Sequence, residues 1–412
     1  MVDAPPLGDL LGQRFAIRGR VWRADEAGIQ AALGEVHGTS ERPRCLCRAG
    51  GVEMYVARLH EFIVKRMPDS GHLHHPSCPS FESEATQSGL GALTGGAVRE
   101  LETGRTELRV DFPWLRRVGR SAKPAIPMPS GQVEAGTRRM SLCALMHLLF
   151  DRAGFNRWSP AMAGRRRWGV IRKFLLDAAE QVDVAGGPLT DRLFVPEAFD
   201  EGDRAEAARR RREKLAILRP HDGSSPLALL IGEFKAAEMV EEGRRIWIRH
   251  MPDAPLLVDE PVWQRLLRRH APLFEARDAD LGLRVRLVMS ALIRSRREFT
   301  YEIDTASLMM TSQQWIPIEG VHELPLIDAL VTQGRRFLKP LRYDAPNAEA
   351  FANALLLDAG PEVVPLHLVS AYLDERARAA KQRAIARSAR PPWVWQTDQP
   401  LPDFPSAGRS PG

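Results

Sequence analysis

Alternation of apolar and polar positions is clearest near the amino end of the chain. Residues 52–59 and 62–66 each alternate with a period of two, as expected for half-buried strands. Gly50-Gly51 supplies a turn before the first segment, and Pro68–Gly71 supplies another after the second. The pattern therefore predicts a β-hairpin between residues 52 and 66.

Helical spacing replaces this alternation in the middle of the chain. Ser141 can cap a helix whose apolar residues recur at i, i+3, i+4 and i+7, namely Leu142, Leu145, Met146 and Leu149. Ser159-Pro160 offers the start of a second helix that runs to about Gln181. Asp203–Arg219 is rich in arginine and predicts a third, basic helix that Pro220 ends.

The carboxy-terminal half mixes both patterns. Helices are predicted at 261–274, at 324–333 and, strongly basic, at 373–390. Extended segments are predicted at 227–235, 245–250, 285–293, 299–303, 306–310, 354–358 and 365–369, and also near the amino end at 15–22 and 107–112. Neighbouring strands with short connections favour antiparallel pairing, so the fold class is predicted to be α+β.

Composition shifts divide the chain into predicted domains. The stretch 121–136 is rich in proline, glycine and small residues and is predicted to be the main boundary. The predicted domains are a zinc-ribbon-like β module with a Cys/His cluster at 1–120 and a helical domain at 137–220. A mixed and mostly antiparallel α+β domain at 221–390 and a Pro-rich tail at 391–412, at best partly ordered, are predicted to follow.

Three of the four cysteines lie between residues 45 and 78, together with four histidines, of which His72, His74 and His75 are close to Cys78. Structural zinc takes four Cys or His ligands in a tetrahedral arrangement, and the predicted hairpin can bring two ligand pairs together. The predicted ligands are Cys45, Cys47, His75 and Cys78. His72 and His74 compete with His75 for its place. Plain thiols beside a polar loop are the alternative, whereas a disulfide is disfavoured because no secretory signal accompanies the cysteines.

Several motifs of the chain resemble one bacterial family. They are Pro43–Arg48, Gly51–Arg58, Gly71–Pro79, Ala153–Gly164, Trp315–Pro317 and Arg335–Tyr343. On these motifs the chain, from roughly residue 40 to 400, is similar to the uncharacterised domain-of-unknown-function 1173 family. The family has no assigned activity. Its members are similar to cargo genes of integrative and conjugative elements, so the resemblance implies DNA-related work on a mobile genetic element.

Overall charge favours an anionic partner. The chain has 412 residues, a formal net charge of +6 and a sequence pI near 9.4, mostly because of arginine. Such a balance favours nucleic acid, and both DNA and RNA fit it. No run approaches the roughly 20 apolar residues of a membrane helix, and Met1–Pro6 does not begin a signal peptide. A cytoplasmic protein without a membrane partner is therefore expected.

Two arginine-rich groups are the candidate phosphate contacts. The predicted nucleic-acid-binding residues are Arg165, Arg166, Arg167, Arg335, Arg336, Lys339 and Arg342. The first group is expected early in the second predicted helix, and the second in an extended segment. The alternatives are a solvated helix face for the first group and ion pairs with neighbouring carboxylates for the second.

No catalytic residues are predicted, although two groups of residues have an order found in nucleases. Glu233-Phe-Lys235 at a strand end, with Asp222 upstream, has the form that metal-dependent nucleases use. Glu323, Asp358 and His367 follow the helix–strand–strand order of nuclease-like folds but lack the expected Glu-x-Lys. The sequence has no Gly-rich phosphate loop, dinucleotide fingerprint or nucleophile elbow.

The functional prediction is a zinc-stabilised, nucleic-acid-binding accessory protein of a mobile genetic element. A divalent-metal-dependent nuclease, or a degenerate nuclease-like fold, is the first alternative. A protein–protein adaptor whose basic surface meets an acidic partner is the second. Salt-dependent DNA binding and metal-dependent DNA cleavage distinguish the three hypotheses.

Overall fold

The computed structural model describes residues 12–58, 61–67, 70–101, 105–117, 139–241, 243–279, 284–346, 348–371, 373–388 and 392–408. The α-helices in this part of the chain are α1 (Ile29–Val36), α2 (Leu142–Arg152), α3 (Trp168–Glu180), α4 (Arg204–Lys214), α5 (Glu260–Asp278), α6 (Leu324–Thr332) and α7 (Glu375–Ala386).

The strands of the described residues are β1 (Arg14–Ile17), β2 (Arg20–Arg23), β3 (Arg44–Cys45), β4 (Val52–Arg58), β5 (Phe62–Arg66), β6 (Val98–Glu100), β7 (Thr106–Leu108), β8 (Leu115–Arg117), β9 (Arg157–Trp158), β10 (Val182–Val184), β11 (Gly187–Pro188), β12 (Leu193–Phe194), β13 (Ser224–Pro226), β14 (Ala228–Val240), β15 (Gly243–Ile248), β16 (Leu256–Val258), β17 (Val285–Arg297), β18 (Thr300–Ser312), β19 (Pro317–Ile318), β20 (Phe337–Leu338), β21 (Ala354–Leu356), β22 (Val364–Val369) and β23 (Trp393–Gln396). Helices and mixed sheets together confirm the α+β class.

The chain divides into two compact units, each built from separated stretches. The first comprises the described residues of Met1–Ala92, Gly154–Arg165 and His322–Gly412. The second comprises those of Leu93–Ala153 and Arg166–Val321. The division into successive domains along the chain stays a prediction, and its boundary at 121–136 lies outside the described residues.

The first sheet of unit 1 has the strand order β2-β1-β3-β4-β5. The predicted hairpin is present, with β4 antiparallel to β5, although residues 68–69 of its expected second turn lie outside the described residues. The single strand predicted at 15–22 is wrong, because β1 and β2 form a hairpin. Arg18 and Gly19 both have positive φ, at 50° and 75°, which is the geometry of a tight two-residue hairpin turn.

The second sheet of unit 1 has the order β23-β22-β21-β20-β9. Strands β20, β21 and β22 are successive antiparallel neighbours, and β22 runs parallel to β23 with α7 in the connection between them. Trp393–Gln396 therefore forms an edge strand, which corrects the expectation of a partly ordered tail. Leu338 and Leu355 pack into the same apolar core as Phe15 and Met54 of the first sheet and Leu33 of α1.

Unit 2 is built around a larger sheet whose longest strands are β14, β17 and β18. The strands predicted at 299–303 and 306–310 are one strand, because β18 pairs with β17 along almost its whole length. Strand β14 begins as a fully buried apolar segment and pairs with β15, as the sequence predicts. The strand predicted at 107–112 is shorter, since only Thr106–Leu108 is extended.

Helix ends follow local sequence signals in some places and not in others. Ser141 caps α2 as predicted, its hydroxyl accepting from the Ala144 amide. The second predicted helix begins later than expected, at Trp168, because Pro160–Met162 forms only a 3-10 turn and Gly164 then adopts a φ of 69°. His270 is non-helical two residues before Pro272, so α5 is kinked there. None of the described helices is long and apolar enough to cross a membrane.

Candidate metal centre

Strand pairing fixes the first two cysteines of the cluster. Cys45 ends β3, which lies between β1 and β4, and its side chain is fully buried in the core of the first sheet. Cys47 follows two residues later, as the chain turns towards the positive-φ pair Gly50-Gly51. Because the strand ends between them, both thiols can face the same point from one short loop.

A 3-10 turn and the turn after it supply the other two side chains. Gly71–Leu73 forms the 3-10 turn, and His74 follows with no exposed surface. The amide of Cys78 donates to the carbonyl of His75 at 2.8 Å, and this turn brings the side chain of Cys78 close to that of His74. Gly71 is required here, since a Cβ at this position would lie 2.4 Å from the Cβ of Glu82.

The ligand atoms converge in a small, buried volume. One ligand atom each from Cys45, Cys47, His74 and Cys78 lies within 4.8 Å of the others. The Sγ atoms of Cys45 and Cys78 are 3.7 Å apart, and His74 Nδ1 is 3.3 Å from Cys47 Sγ and 3.7 Å from Cys78 Sγ. Tetrahedral zinc bonds would separate two sulfurs by about 3.8 Å and a sulfur and nitrogen by about 3.6 Å. The geometry therefore fits one tetrahedral ion.

Amide N–H groups surround the sulfurs. Gln13 Nε2 lies 3.4 Å from Cys45 Sγ and 3.8 Å from Cys78 Sγ, and Gln13 is itself buried. The backbone amides of His75 and Ser80 each donate to a cysteine sulfur at 3.4 Å. N–H donors of this kind stabilise thiolate charge and orient the ligands of a metal.

The titration behaviour of the group reflects one shared negative charge. Hydrogen bonds with Cys47 and Cys78 hold the pKa of Cys45 far below its ordinary value. Hydrogen bonds with Cys45 and Cys47 instead raise the pKa of Cys78. Burial alone would lower the pKa of His74, but its hydrogen bonds to Cys45 and Cys47 outweigh burial and raise that pKa to about 9. A bound divalent cation would replace the shared protons and leave all three sulfurs as thiolates.

The structure brings His74 to the cysteines, not His75. His75 points its Nδ1 at the hydroxyl of Ser77, 2.7 Å away, and accepts there from the Ser77 amide at 3.2 Å. His72 is exposed. Ligand spacing does not distinguish the two histidines, because both H-x3-C and H-x2-C lie within the usual range for zinc ligands.

Other contacts tie this loop to the second sheet of unit 1. Arg157 in β9 donates from one guanidinium nitrogen to the carbonyls of Cys78 and Pro79, at 3.3 and 3.4 Å, and from another to the carbonyl of Phe81. All four cysteines are described, and no disulfide joins them. Cys143 is half-buried in α2.

The predicted phosphate contacts at 335–342 are engaged within the protein. Arg335 is 7 % exposed and makes a bidentate contact to Asp358, whose Oδ2 also accepts from the backbone amide of Arg336. Lys339 is 2 % exposed. Its Nζ lies 3.3 Å from the carboxylate of Glu323. Arg342 lies 3.3 Å from Glu349. Arg335 and Lys339 are thus buried ion pairs, the alternative that the sequence left open.

The predicted contacts at 165–167 lie just before α3 and not inside a helix. Arg165 and Arg167 are exposed. Arg167 occupies the N-cap position of α3 and makes no side-chain cap hydrogen bond there. Arg166 differs, since it donates to the carbonyl of Gln314 at 3.1 Å. Arg165 and Arg167 are therefore the members of the predicted set whose side chains face solvent.

The nuclease constellation at Glu233 is not assembled for metal binding. Glu233 is 3 % exposed, and its Oε1 accepts from Arg249 at 2.8 Å and from Arg286 at 3.1 Å. A register shift between Phe234 and Ala236 leaves Lys235 exposed, away from the buried Glu233, and Asp222 lies in an exposed turn. In the part of the chain that the structure describes, the Cys/His group is the metal-ligand cluster that is found.

A buried polar network surrounds Glu323 in unit 1. Glu323 Oε1 accepts from Asn353 Nδ2 at 2.7 Å and lies 3.3 Å from Lys339 Nζ. Asn353 Oδ1 in turn accepts from Lys381 Nζ at 2.7 Å, and Lys381 also donates to the carbonyl of Phe351 at 2.6 Å. Burial lowers the pKa of Lys381 to about 7, although Glu323 opposes this shift. Asp358 belongs to a different contact, with Arg335.

His367 lies beside this network on β22. Asn353 binds the strand on both sides of His367, because its backbone amide donates to the carbonyl of Leu366 and its Oδ1 accepts from the amide of Leu368, each at 2.8 Å. Burial, reinforced by the charge of Lys381, lowers the pKa of His367 to about 4. The grouping of Glu323, Asp358 and His367 stays a prediction, because Glu323 contacts Asn353 and Lys339, and Asp358 pairs with Arg335. Sequence order missed Lys339, Asn353 and Lys381, which join Glu323 only through the fold.

Comparison with known proteins adds one match. Residues 15–398, nearly the whole chain, match the family model described as protein of unknown function (DUF1173). No curated protein matches the chain, and no solved structure matches it either.

Proposed function

We propose that this chain, which belongs to the DUF1173 family of unknown function, is a zinc-stabilised nucleic-acid-binding protein. The convergence of Cys45, Cys47, His74 and Cys78 within 4.8 Å is the observation that carries the zinc part of the proposal. We further propose that it acts in the cytoplasm as an accessory protein of a mobile genetic element, since free thiols suit that compartment and the family resemblance suggests that setting.

Ligand chemistry supports zinc over the common alternatives. Three thiols and one imidazole are soft or borderline donors, whereas magnesium and calcium take oxygen ligands. Four protein ligands fill a tetrahedral shell and leave no position for a substrate or a reactive water. The ion is therefore structural. It joins the end of β3, the following turn and the 71–78 segment.

Replacing each candidate histidine separately tests the ligand set. His74→Ala is expected to abolish stoichiometric zinc, because it removes one of four ligands from a buried site. His75→Ala is the matched control and should keep zinc, since the ring of His75 contacts Ser77 and not the sulfurs. Elemental mass spectrometry of both purified variants gives the measurement. Zinc loss in His75→Ala with retention in His74→Ala would reverse the assignment.

Charge supports the nucleic-acid part of the proposal. The net charge of +6 provides long-range attraction for a polyanion. Arg165 and Arg167, which are two residues apart in sequence, are both exposed, so each side chain can reach a phosphate backbone. The ion pairs of Arg335 and Lys339 remove those two residues from the set of phosphate contacts proposed here.

Salt dependence tests this second part. The full chain is expected to bind a mixed-sequence DNA duplex more weakly as salt rises from 50 to 200 mM, because binding releases condensed counterions. Arg165→Ala with Arg167→Ala should make the slope of log affinity against log salt shallower by about 2. Arg18→Ala with Arg23→Ala is the charge-matched control, since both side chains already pair with carboxylates. Absence of DNA and RNA binding by the unaltered chain at 50 mM salt would favour the adaptor hypothesis.

A further inference from the structure

Helix α7 carries a row of arginines on its outward face. Arg383 and Arg387 follow Arg376 by seven and eleven residues, which places each of them within about 20° of Arg376 around the helix axis, on opposite sides of it. All three are exposed, and none forms an ion pair with the described residues. The row is about 16 Å long at 1.5 Å per residue.

The remaining basic residues of α7 do not belong to this row. Arg378 donates to the carbonyls of Ala371 and Leu373 and so is used within the protein. Lys381 lies about 140° around the helix from Arg376 and is 3 % exposed. The helix therefore separates its cations into an inner one, which binds the protein, and an outer row, which faces solvent.

Small residues flank the row. Positions 379, 380, 384 and 386 are all alanine, so no bulky side chain keeps a broad partner away from the arginines. Glu375 is the acidic residue within α7, and it lies about 100° from the row. The helix dipole favours Arg383 in the last turn and Arg387 at the C-cap, but it does not explain Arg376, which lies in the first turn and opposes it.

The inner face fixes the direction of the outer row. Lys381 donates to the carbonyl of Phe351 and to Asn353 Oδ1, both just before β21, at 2.6 and 2.7 Å. At the start of the helix, Asp374 caps it by accepting from the Ala377 amide. Rotation of α7 by one residue would break the Lys381 contacts, so the arginines are held in one orientation relative to the sheet.

We propose that Arg376, Arg383 and Arg387 form a phosphate-binding surface for double-stranded DNA, and this inference rests on the proposed nucleic-acid function. The row matches the length of about five base pairs, at 3.4 Å each, along which each strand presents regularly spaced phosphates. Guanidinium groups form charge-assisted hydrogen bonds to phosphate oxygens, which every DNA sequence presents. We therefore expect the contribution of this surface to binding to be independent of DNA sequence.

The experiment compares two triple variants of the full chain with equal loss of charge. Arg376→Ala/Arg383→Ala/Arg387→Ala is the test, and Arg18→Ala/Arg20→Ala/Arg23→Ala is the control, whose arginines are also exposed in unit 1 but pair with carboxylates. Fluorescence anisotropy with a mixed-sequence 20-base-pair DNA duplex is recorded at several salt concentrations. Thermal melting and zinc content of both variants establish that they are folded.

Three lost phosphate contacts should make the salt slope shallower by about 2.7 and weaken binding about a hundredfold at 0.1 M salt. The control should bind within about twofold of the unaltered chain, because its arginines contact no phosphate. Equal weakening in both variants, or full binding by the α7 variant, would overturn the α7 surface while leaving nucleic-acid binding in place. No DNA binding by the unaltered chain would overturn the proposed function as well.

Discussion

Removing the proposed metal ligand Cys78, by Cys78→Ser, is expected to unfold residues 44–82 while unit 2 stays folded. Cys78 is 4 % exposed and lies among the other ligand atoms, so its loss leaves three ligands and a buried hydroxyl where a thiolate is needed. Chelation of zinc from the unaltered chain should have the same effect. A structural zinc stabilises the folded state by about 4 kcal/mol when free zinc exceeds its dissociation constant a thousandfold.

Hydrogen exchange read by mass spectrometry locates this loss. Peptides from β3, β4 and the 71–82 loop should exchange faster in Cys78→Ser and in the chelated chain, whereas peptides from β17 and β18 should not change. Cys143→Ser is the matched control, because Cys143 lies in α2 outside the cluster. Unchanged protection of the 44–82 peptides in the chelated chain would show that no metal supports this loop.

The second large effect is expected at Lys381, where Lys381→Met should remove a pH dependence of stability. The pKa of Lys381 is lowered to about 7 from 10.5 in the folded chain, so between these pH values the unfolded chain binds a proton that the folded chain does not. The free energy of unfolding therefore rises with pH across this window, by about 1.4 kcal/mol per pH unit. Below pH 7 the folded chain must hold the charge at its full cost.

The charged and titratable groups around Lys381 are Glu323, Lys339, Arg342, Glu349 and His367. Lys381→Met loses two hydrogen bonds at every pH, so the informative quantity is the change with pH of the difference between the two proteins. From pH 7 to pH 9 the unaltered chain should gain about 2 to 3 kcal/mol relative to Lys381→Met.

Urea unfolding at pH 6, 7, 8 and 9 measures this difference. Lys381→Arg provides the control, because an arginine stays charged throughout this range and should lower stability at every pH. Parallel pH profiles for Lys381→Met and the unaltered chain would contradict a neutral Lys381 at the base of α7. They would also weaken the argument that the inner face of this helix fixes the arginine row.

Local patterns predicted the parts of the fold that depend on neighbouring residues. The alternation of 52–66 identified the β4–β5 hairpin, and the spacing after Ser141 identified α2, because both depend on contacts within a few residues. Strand β23 could not be predicted in the same way. Trp393–Gln396 is extended because it pairs with β22, about 27 residues earlier, beyond the reach of any local pattern.

The ligand set and the ion pairs could not be predicted fully for the same reason, because they join residues that are not neighbours in sequence. Composition identified the cysteines, but the selection of His74 depends on the 3-10 turn at Gly71–Leu73 and on the contact between His75 and Ser77. Arg335 looked like a phosphate contact because its partner, Asp358, lies 23 residues away in sequence, just after β21. The arginine row of α7 could have been found from its spacing of seven and four residues, once the helix was divided into inner and outer faces.

Metal content of the purified full chain is the most direct test of the central claim. Elemental mass spectrometry of protein prepared without added metal should give one zinc per chain, and the same preparation of Cys45→Ser should give none, because Cys45 is fully buried among the ligand atoms. Less than a tenth of an equivalent of zinc or another transition metal in the unaltered chain, before and after incubation with zinc, would contradict the account.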